Sequence, residues 1–444
     1  MSPVDGSARV VRGSVLTYRD DPAIVGADRA VHFLRRGAVA VDGDGRIAWR
    51  GPAGRLPERF RSLPDDDHGE CLVLPGFIDA HLHFPQYRML AAPGTDLLDW
   101  LNRFTYREES RYASPVHARA AAEHFLDRLV QHGTTAALVF SSVHPGAAEA
   151  LFTSAQARRL AIVSGKTMMD RNAPEALRDD PVAGVRDSVS LMERWHRRGR
   201  LRYAITVRFA VTSTEAQLRA AGELAAAHPD CHVHSHLSES EEEIALVRRL
   251  FPVAKDYTDV YDRFGLLGPR SVFAHGIHLT ERECARLHET QSVVVHCPTA
   301  NTFLGSGLFD AGHVGRPDRS VAFGIGSDVG GGTSYSMLRT MGEAYKVAML
   351  CGRMPTAHDL FHLATRGNAA RLGLGDEIGT IESGRWADLV VLDPTATPVL
   401  EDRHALSEGL EDTLFALAIL GDDRAVRATY VAGRRAWDAT SGTS

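Results

Sequence analysis

The residues best suited to chemistry stand at the ends of short apolar runs. The first such run, opened by Pro75-Gly76, closes on His81-Leu82-His83. In a strand, side chains alternate faces, so His81 and His83 point the same way. Two neutral imidazoles side by side make a natural half of a zinc site. The other reading of a bare His-x-His is a pair of surface histidines in a turn. Partners elsewhere in the chain decide between the two. Later runs supply them: His232-Val233-His234-Ser235-His236 with Leu237-Ser238-Glu239, then Ala274-His275-Gly276, then Gly326-Ser327-Asp328. A single strand-end histidine would be an ordinary capping or core residue. Ligand-type residues at the ends of four strands point to one shared site.

Such convergence needs a frame. Between residues 77 and 325, apolar runs alternate with helical patterns, the sequence form of β-α units around a parallel sheet. The runs fall at 77–81, 135–140, 160–163, 203–207, 231–236, 271–275, 292–296 and 321–325. Eight runs are what closes a (β/α)8 TIM barrel, whose sites gather at the C-terminal strand ends. The histidines and Asp328 stand at those ends. An open doubly wound sheet competes, but no Gly-rich phosphate turn follows the first run. Ser114-Pro115 opens a helix over 116–131 that Gly133 follows, and Thr280-Glu281-Arg282-Glu283 reads as a capping box. A further helix is predicted over 356–372, ending at Gly373 and packing outside the barrel.

The flanks have a different texture. Asp42-Gly43-Asp44-Gly45 ahead of Arg46-Ile47-Ala48-Trp49 signals a hairpin. Residues 387–394 and 426–433 are strand-like as well. Both ends together predict a small β-sandwich domain made of residues 1–70 and 378–444. The metal-dependent barrel then occupies 71–377.

A chain of 444 residues suits one such barrel plus a smaller domain. The net charge of −6, with both signs spread along the chain, leaves no basic footprint for nucleic acid. Five scattered cysteines without a C-x-x-C fit a reduced, cytoplasmic setting. The first residues do not read as a signal peptide, and no apolar run approaches the ~20 residues of a membrane span, so no membrane partner is expected.

The set His81-x-His83, His236, His275 and Asp328 resembles the amidohydrolase superfamily in its mononuclear branch, and within it the guanine deaminase family. The likeness is carried by 75–86, Asp96-Leu97-Leu98-Asp99-Trp100-Leu101, Val207-Arg208-Phe209, Ser235-His236-Leu237-Ser238-Glu239, Ala274-His275-Gly276, His296-Cys297-Pro298 and 326–337. It extends through 389–394. The resemblance implies one zinc ion per subunit, held by His81, His83, His236 and Asp328, with His275 contacting the attacking water. Binuclear relatives use a carboxylated lysine on the fourth strand, and 203–207 contains none. Lys166, after the third run, reads as a structural or surface lysine.

The implied reaction is hydrolytic deamination of the purine guanine to xanthine and ammonia, in a homodimer. Zinc lowers the pKa of bound water from ~15.7 toward ~7. Asp328 would take the water's proton, aided by His275, and Glu239 would protonate N3 and serve the departing amine. The alternative role for Glu239 is a first-turn acid, since Ser238-x-x-Glu241 reads as a helix cap. The Arg208 guanidinium matches the O6/N7 edge of guanine, and Gln86 suits the N1/N2 region. Phe209 and Trp100 would wall the ring, with Leu97 and Leu98 beside them. His236 and Glu239 would also meet the substrate. His232, His234 and His296 have no assigned role and read as supporting or core residues. The chain departs from the family pattern at Val207, His234 and Thr299-Ala300. Two rival functions remain: an amidohydrolase acting on another aminated or halogenated heterocycle (an oxidised purine, a pterin, a triazine), and an inactive barrel serving as a scaffold. The scaffold would have lost ligands or the acid, and all are present.

Overall fold

The computed structural model describes residues 6–94 and 97–440. Asp96, one of the motif residues, lies outside them. The chain begins in strands β1 (Arg9–Tyr18), β2 (Val31–Val41), β3 (Ile47–Pro52) and β4 (Asp65–Pro75). β1 pairs antiparallel with β2 and parallel with β4, and β2 pairs antiparallel with β3. The chain then builds the barrel from β5 (Phe77–His83), β6 (Thr134–Phe140), β7 (Ala161–Gly165), a two-residue β8 (Thr167–Met168), β9 (Arg202–Val207), β10 (His232–Leu237), β11 (Ser271–His275), β12 (Val293–His296) and β13 (Ala322–Ile325). It returns through β14 (Leu389–Leu392), β15 (Val426–Val431) and β16 (Arg434–Asp438).

The returning strands extend the first sheet on the β4 side, in the order β16-β15-β14-β4-β1-β2-β3. The termini therefore build one β unit, as their texture suggested. Gly45, at the β2–β3 turn, has φ +88, and a Cβ there would lie 2.1 Å from the Ala432 carbonyl oxygen in the β15–β16 turn. Only glycine permits that approach. The sheet edges thus curl toward each other, and Val11, Val39, Ile47, Val391, Ala428 and Tyr430 share one buried cluster. The result is sandwich-like, made from a single folded sheet.

The barrel strands pair in parallel along the path β13-β12-β11-β10-β9-β7-β6-β5. Every residue of β5, β6, β7, β10, β11 and β12 is buried. That is why they read as continuous apolar runs and not as alternating ones. The interior is filled by Ile78, Leu138, Val163, Val272 and Val295, with alanines between them. Ser114 and Thr280 cap their helices as expected, the second in a reciprocal box with Glu283.

One side chain bridges the seam between β13 and β5. Asn368 Nδ2 donates to Ile78 O at 2.7 Å and to Ile325 O at 2.8 Å, while its Oδ1 accepts from Ile325 N at 3.0 Å. This corrects the expectation for the helix over 356–372. It runs as Ala357–His362, a wide turn over Leu363–Gly367, and Asn368–Arg371, and ends before Gly373 at φ +63. Its end does not stay outside the barrel: Ala369, Leu372 and Leu374 join the interior cluster. The physical reason is that the seam leaves backbone polar groups that must be paired, and a helix end carrying Asn followed by apolar residues meets them. Among the described residues, no helix is long and apolar enough to cross a membrane. None of the five cysteines is in a disulfide.

Candidate active site

The strand-end histidines do converge. His83 Nε2 lies 3.1 Å from His236 Nε2, and Asp328 Oδ1 lies 3.3 Å from His81 Nε2 and 3.4 Å from His83 Nε2. Ligand atoms ~2.1 Å from a tetrahedral ion are separated by ~3.3–3.4 Å, so these distances are those of a coordination shell. His81 Nε2 is buried with no hydrogen-bond partner among the described residues. Burial holds the imidazoles of His81, His83 and His236 well below their ordinary pKa, in the neutral form that ligates. The four side chains can hold one divalent metal.

Neighbours fix which nitrogen of His81 and of His236 faces the cluster. His236 Nδ1 donates to Arg208 O at 2.6 Å, leaving Nε2 for the metal. His81 Nδ1 is 2.9 Å from His234 Nε2, so the unassigned His234 orients the His81 ring. The second unassigned histidine, His232, is bonded through Nε2 to Leu372 O at 2.9 Å, and the third, His296, stacks on Phe309. Neither lines the cavity. Asp79, not singled out in the sequence, accepts from the backbone of His81 and Ser327 and from the Ser327 hydroxyl. It ties the first ligand strand to the loop carrying Asp328. Gly326 passes so close to His81 that a Cβ would lie 2.8 Å from its backbone nitrogen. Asp328 itself has φ +50, and its N–H donates to His81 O at 2.9 Å. Cys297 also lies near His81 and Asp328. Its thiol is buried, which raises it above its ordinary pKa, and it is bonded to Val295 O at 3.5 Å. Lys166 is buried and paired with Asp179: a structural lysine, not a surface one.

The residues expected from the sequence to handle protons lie beside this cluster. His275 Nε2 is 3.3 Å from Glu239 Oε2 and 3.9 Å from Asp328 Oδ2. Its Nδ1 is held by Asn301 Oδ1 at 2.9 Å. Burial pushes the Asp328 carboxyl up to about 6, against the pull of His275 and Arg208. Burial, with Glu243 and Asp328 nearby, raises Glu239 well above the carboxylate range. The cap reading of this stretch needs correction. Ser240, not Ser238, caps the helix Glu241–Leu250, in a box with Glu243. Ser238 adopts φ +50 and is outside the helix. Glu239 is thereby not a first-turn acid, and its side chain faces the cavity.

The cavity is about 380 Å³ and is reached from the strand ends. Gln86, Arg208, Phe209, Trp100 and Leu97 line it, together with His83, His236, Glu239, His275 and Asp328. Leu98 does not: it is partly buried against the hydrophobic core, and Leu101 and Leu304 complete the apolar wall. The helical turn over Leu97–Trp100 turns Leu97 and Trp100 inward, three positions apart, so Leu98 faces away. A residue missed in the sequence stands behind the polar wall. Glu109 accepts from Gln86 Nε2 at 2.9 Å and from Arg208 Nη1 at 2.7 Å. Its only sequence signal was an acid in a helical stretch near the first strand.

With the geometry in place, the likenesses follow. The chain matches the amidohydrolase family model over residues 72–436. Guanine deaminase of Escherichia coli is 42% identical over 97% of this chain and 98% of its own length. A crystal structure of guanine deaminase from Bradyrhizobium japonicum superposes with a TM-score of 0.92 at 35% identity, covering 97% of this chain and 99% of that one. A guanine deaminase from C. acetobutylicum with guanine bound in its active site superposes with a TM-score of 0.85 at 25% identity, covering 96% and 99%. A folded barrel with ligand-type residues at four strand ends, matched along nearly its whole length, leaves one assignment: the chain belongs to the amidohydrolase family.

Proposed function

We propose that this chain is a guanine deaminase, hydrolysing guanine to xanthine and ammonia. The observation that carries the reading is one cavity that joins the His81, His83, His236 and Asp328 cluster to an Arg208–Gln86 wall across from Glu239. The names of the relatives and the guanine-bound neighbour support it.

Guanine would sit between Phe209, Trp100, Leu97 and Leu304, with its O6/N7 edge toward Arg208 and N1 toward Gln86. That pose turns C2 toward Asp328 and His275, and N3 toward Glu239. His81, His83, His236 and Asp328 would hold one zinc ion per subunit, a donor set of three imidazoles and a carboxylate that suits it. Bound there, the ion supplies Lewis acidity that makes water a nucleophile near neutral pH. Asp328 accepts the proton of the attacking water, and His275 steadies the water from the other side. Glu239, kept protonated by its surroundings, gives its proton to N3 as the C2–O bond forms. Glu239 then takes the remaining proton of the added C2 hydroxyl and delivers it to the exocyclic nitrogen; as C2=O forms the C2–N bond breaks, ammonia leaves, and the proton held by Asp328 returns to Glu239.

We further assign the catalytic unit to residues 71–377 and the β unit to 1–70 and 378–444. Unpaired cysteines fit a cytoplasmic enzyme of purine breakdown. A homodimer is supported by an exposed apolar cluster, Met349, Leu350 and Met354, at the end of one outer helix. The test is metal analysis of the purified protein beside xanthine and ammonia formation from guanine. Complete metal stripping should abolish turnover and zinc should restore it; undiminished deamination by stripped protein overturns the reading.

A further inference from the structure

Glu109 stands behind the two residues assigned to the heterocycle. It ends the helix Tyr106–Glu109, is 1% exposed, and does not itself line the cavity. Its Oε1 takes the Gln86 amide and its Oε2 takes the Arg208 guanidinium, at 2.9 and 2.7 Å. An ionised carboxylate only accepts hydrogen bonds. The Gln86 amide must therefore turn its NH2 to Glu109, which leaves its Oε1 on the cavity side. That oxygen is buried and has no partner among the described residues. Arg208, beside it, can only donate. Together they offer a ligand a fixed pair, one donor next to one acceptor.

We infer that Glu109 is the positioning residue that sets this polarity, so that the cavity selects a cyclic lactam edge, a ring C=O beside a ring N–H. The reverse edge, an exocyclic NH2 beside a bare ring nitrogen, is rejected. The inference rests on the guanine reading above and deepens it, since O6 and N1–H of guanine form such an edge. A 6-amino ring would bring a donor against Arg208 and a lone pair against Gln86 Oε1. Buried polar groups left unmet in this way reject an analogue far more strongly than a lost apolar contact does.

The experiment measures dissociation constants of hypoxanthine, which has the lactam edge, and adenine, which has the reverse edge. Equilibrium binding to the zinc-loaded enzyme is used, so no turnover is needed. Wild type should bind hypoxanthine more tightly. Glu109→Gln is nearly isosteric but can donate as well as accept, so the Gln86 amide is released to turn. In that variant the preference for hypoxanthine over adenine should fall by about tenfold or more, and KM for guanine should rise more than kcat falls. Glu109→Asp still only accepts, so it should keep the preference even as both purines bind more weakly. An unchanged preference in Glu109→Gln, or a collapsed one in Glu109→Asp, overturns the inference; if Glu109→Gln does not fold, Glu109→Asp decides alone. Failure of wild type to form xanthine from guanine is a separate result and strikes the guanine reading instead.

Discussion

Nε2 of His275 lies 3.3 Å from Oε2 of Glu239, although the two residues end different barrel strands. With Nδ1 of His275 donating to Asn301, the ring turns its other nitrogen to the space that Glu239 and Asp328 share. A proton can pass between the water side and the leaving-group side within that space. The parallel pairing of β10 with β11, which sets Leu237 opposite His275, creates the relationship, and the proposed acid–base scheme depends on it.

Glu239→Gln keeps the shape of the side chain and removes its transferable proton. Metal content should be unchanged, while kcat falls by ~10²–10⁴-fold, the usual contribution of a positioned acid. Because the carboxyl is raised by burial, it is the protonated form that acts, so wild-type activity should fall as pH rises through its pKa. Metal analysis and a pH–rate profile check both points. Undiminished turnover in the variant would remove Glu239 from the chemistry.

Arg208→Ala should raise KM for guanine by ~5- to ~150-fold, the equivalent of a lost bidentate contact worth ~1–3 kcal/mol. Metal content should hold, since no ligand is touched. Stability should also drop, by ~3–5 kcal/mol, because Glu109 is left buried without its cation. Adding Glu109→Gln should recover part of that loss. Denaturant titration of the single and double variants reads it, and equal stability in both would refute the pairing.

His232 makes the fold sensitive to acid. Burial pushes its imidazole down to about 4 from the ordinary 6.5, with Leu372 O accepting its proton. The unfolded chain protonates this residue below its ordinary pKa, whereas the native state does so only near 4. Stability is therefore full at neutral pH and is lost as pH falls between these values, by roughly 3 kcal/mol at most. His232→Gln keeps an N–H donor and has no such titration. Its unfolding free energy should fall less steeply between about pH 6.5 and pH 4, as urea titrations at several pH values would show. An identical slope in the variant would exclude His232.

Asn368→Ala should destabilise the barrel by ~2–5 kcal/mol, since three hydrogen bonds go and backbone groups of Ile78 and Ile325 lose their partner. Chemical denaturation measures this directly. A change within ~0.5 kcal/mol, the level of an ordinary surface substitution, would mean the seam is held by something else.

Much of this protein was legible in its residues. The apolar runs announced eight strands because parallel strands covered on both faces carry apolar side chains at every position. His81-x-His83 announced a shared face because strand geometry has a period of two. Arg208, Gln86 and Glu239 could be proposed because the resemblance to guanine deaminases marked them and their side-chain chemistry suits the base. Glu109, Asp79, Asn301 and Asn368 could not. Each is a common polar residue whose role depends on what faces it across the barrel, and no local pattern encodes that.

The sequence by itself determined the strand period, the helix caps at Ser114 and Thr280, and the donor atoms available at each strand end. Only the tertiary structure decided that Ser240 and not Ser238 caps its helix, that Leu98 turns away from the cavity, and that the 356–372 helix ends inside the barrel seam. It also decided which nitrogen of His81 and of His236 faces the cluster. Local rules act on neighbours along the chain, whereas tautomer, amide orientation and closure are set by hydrogen bonds from groups that meet only when the sheet has curved round.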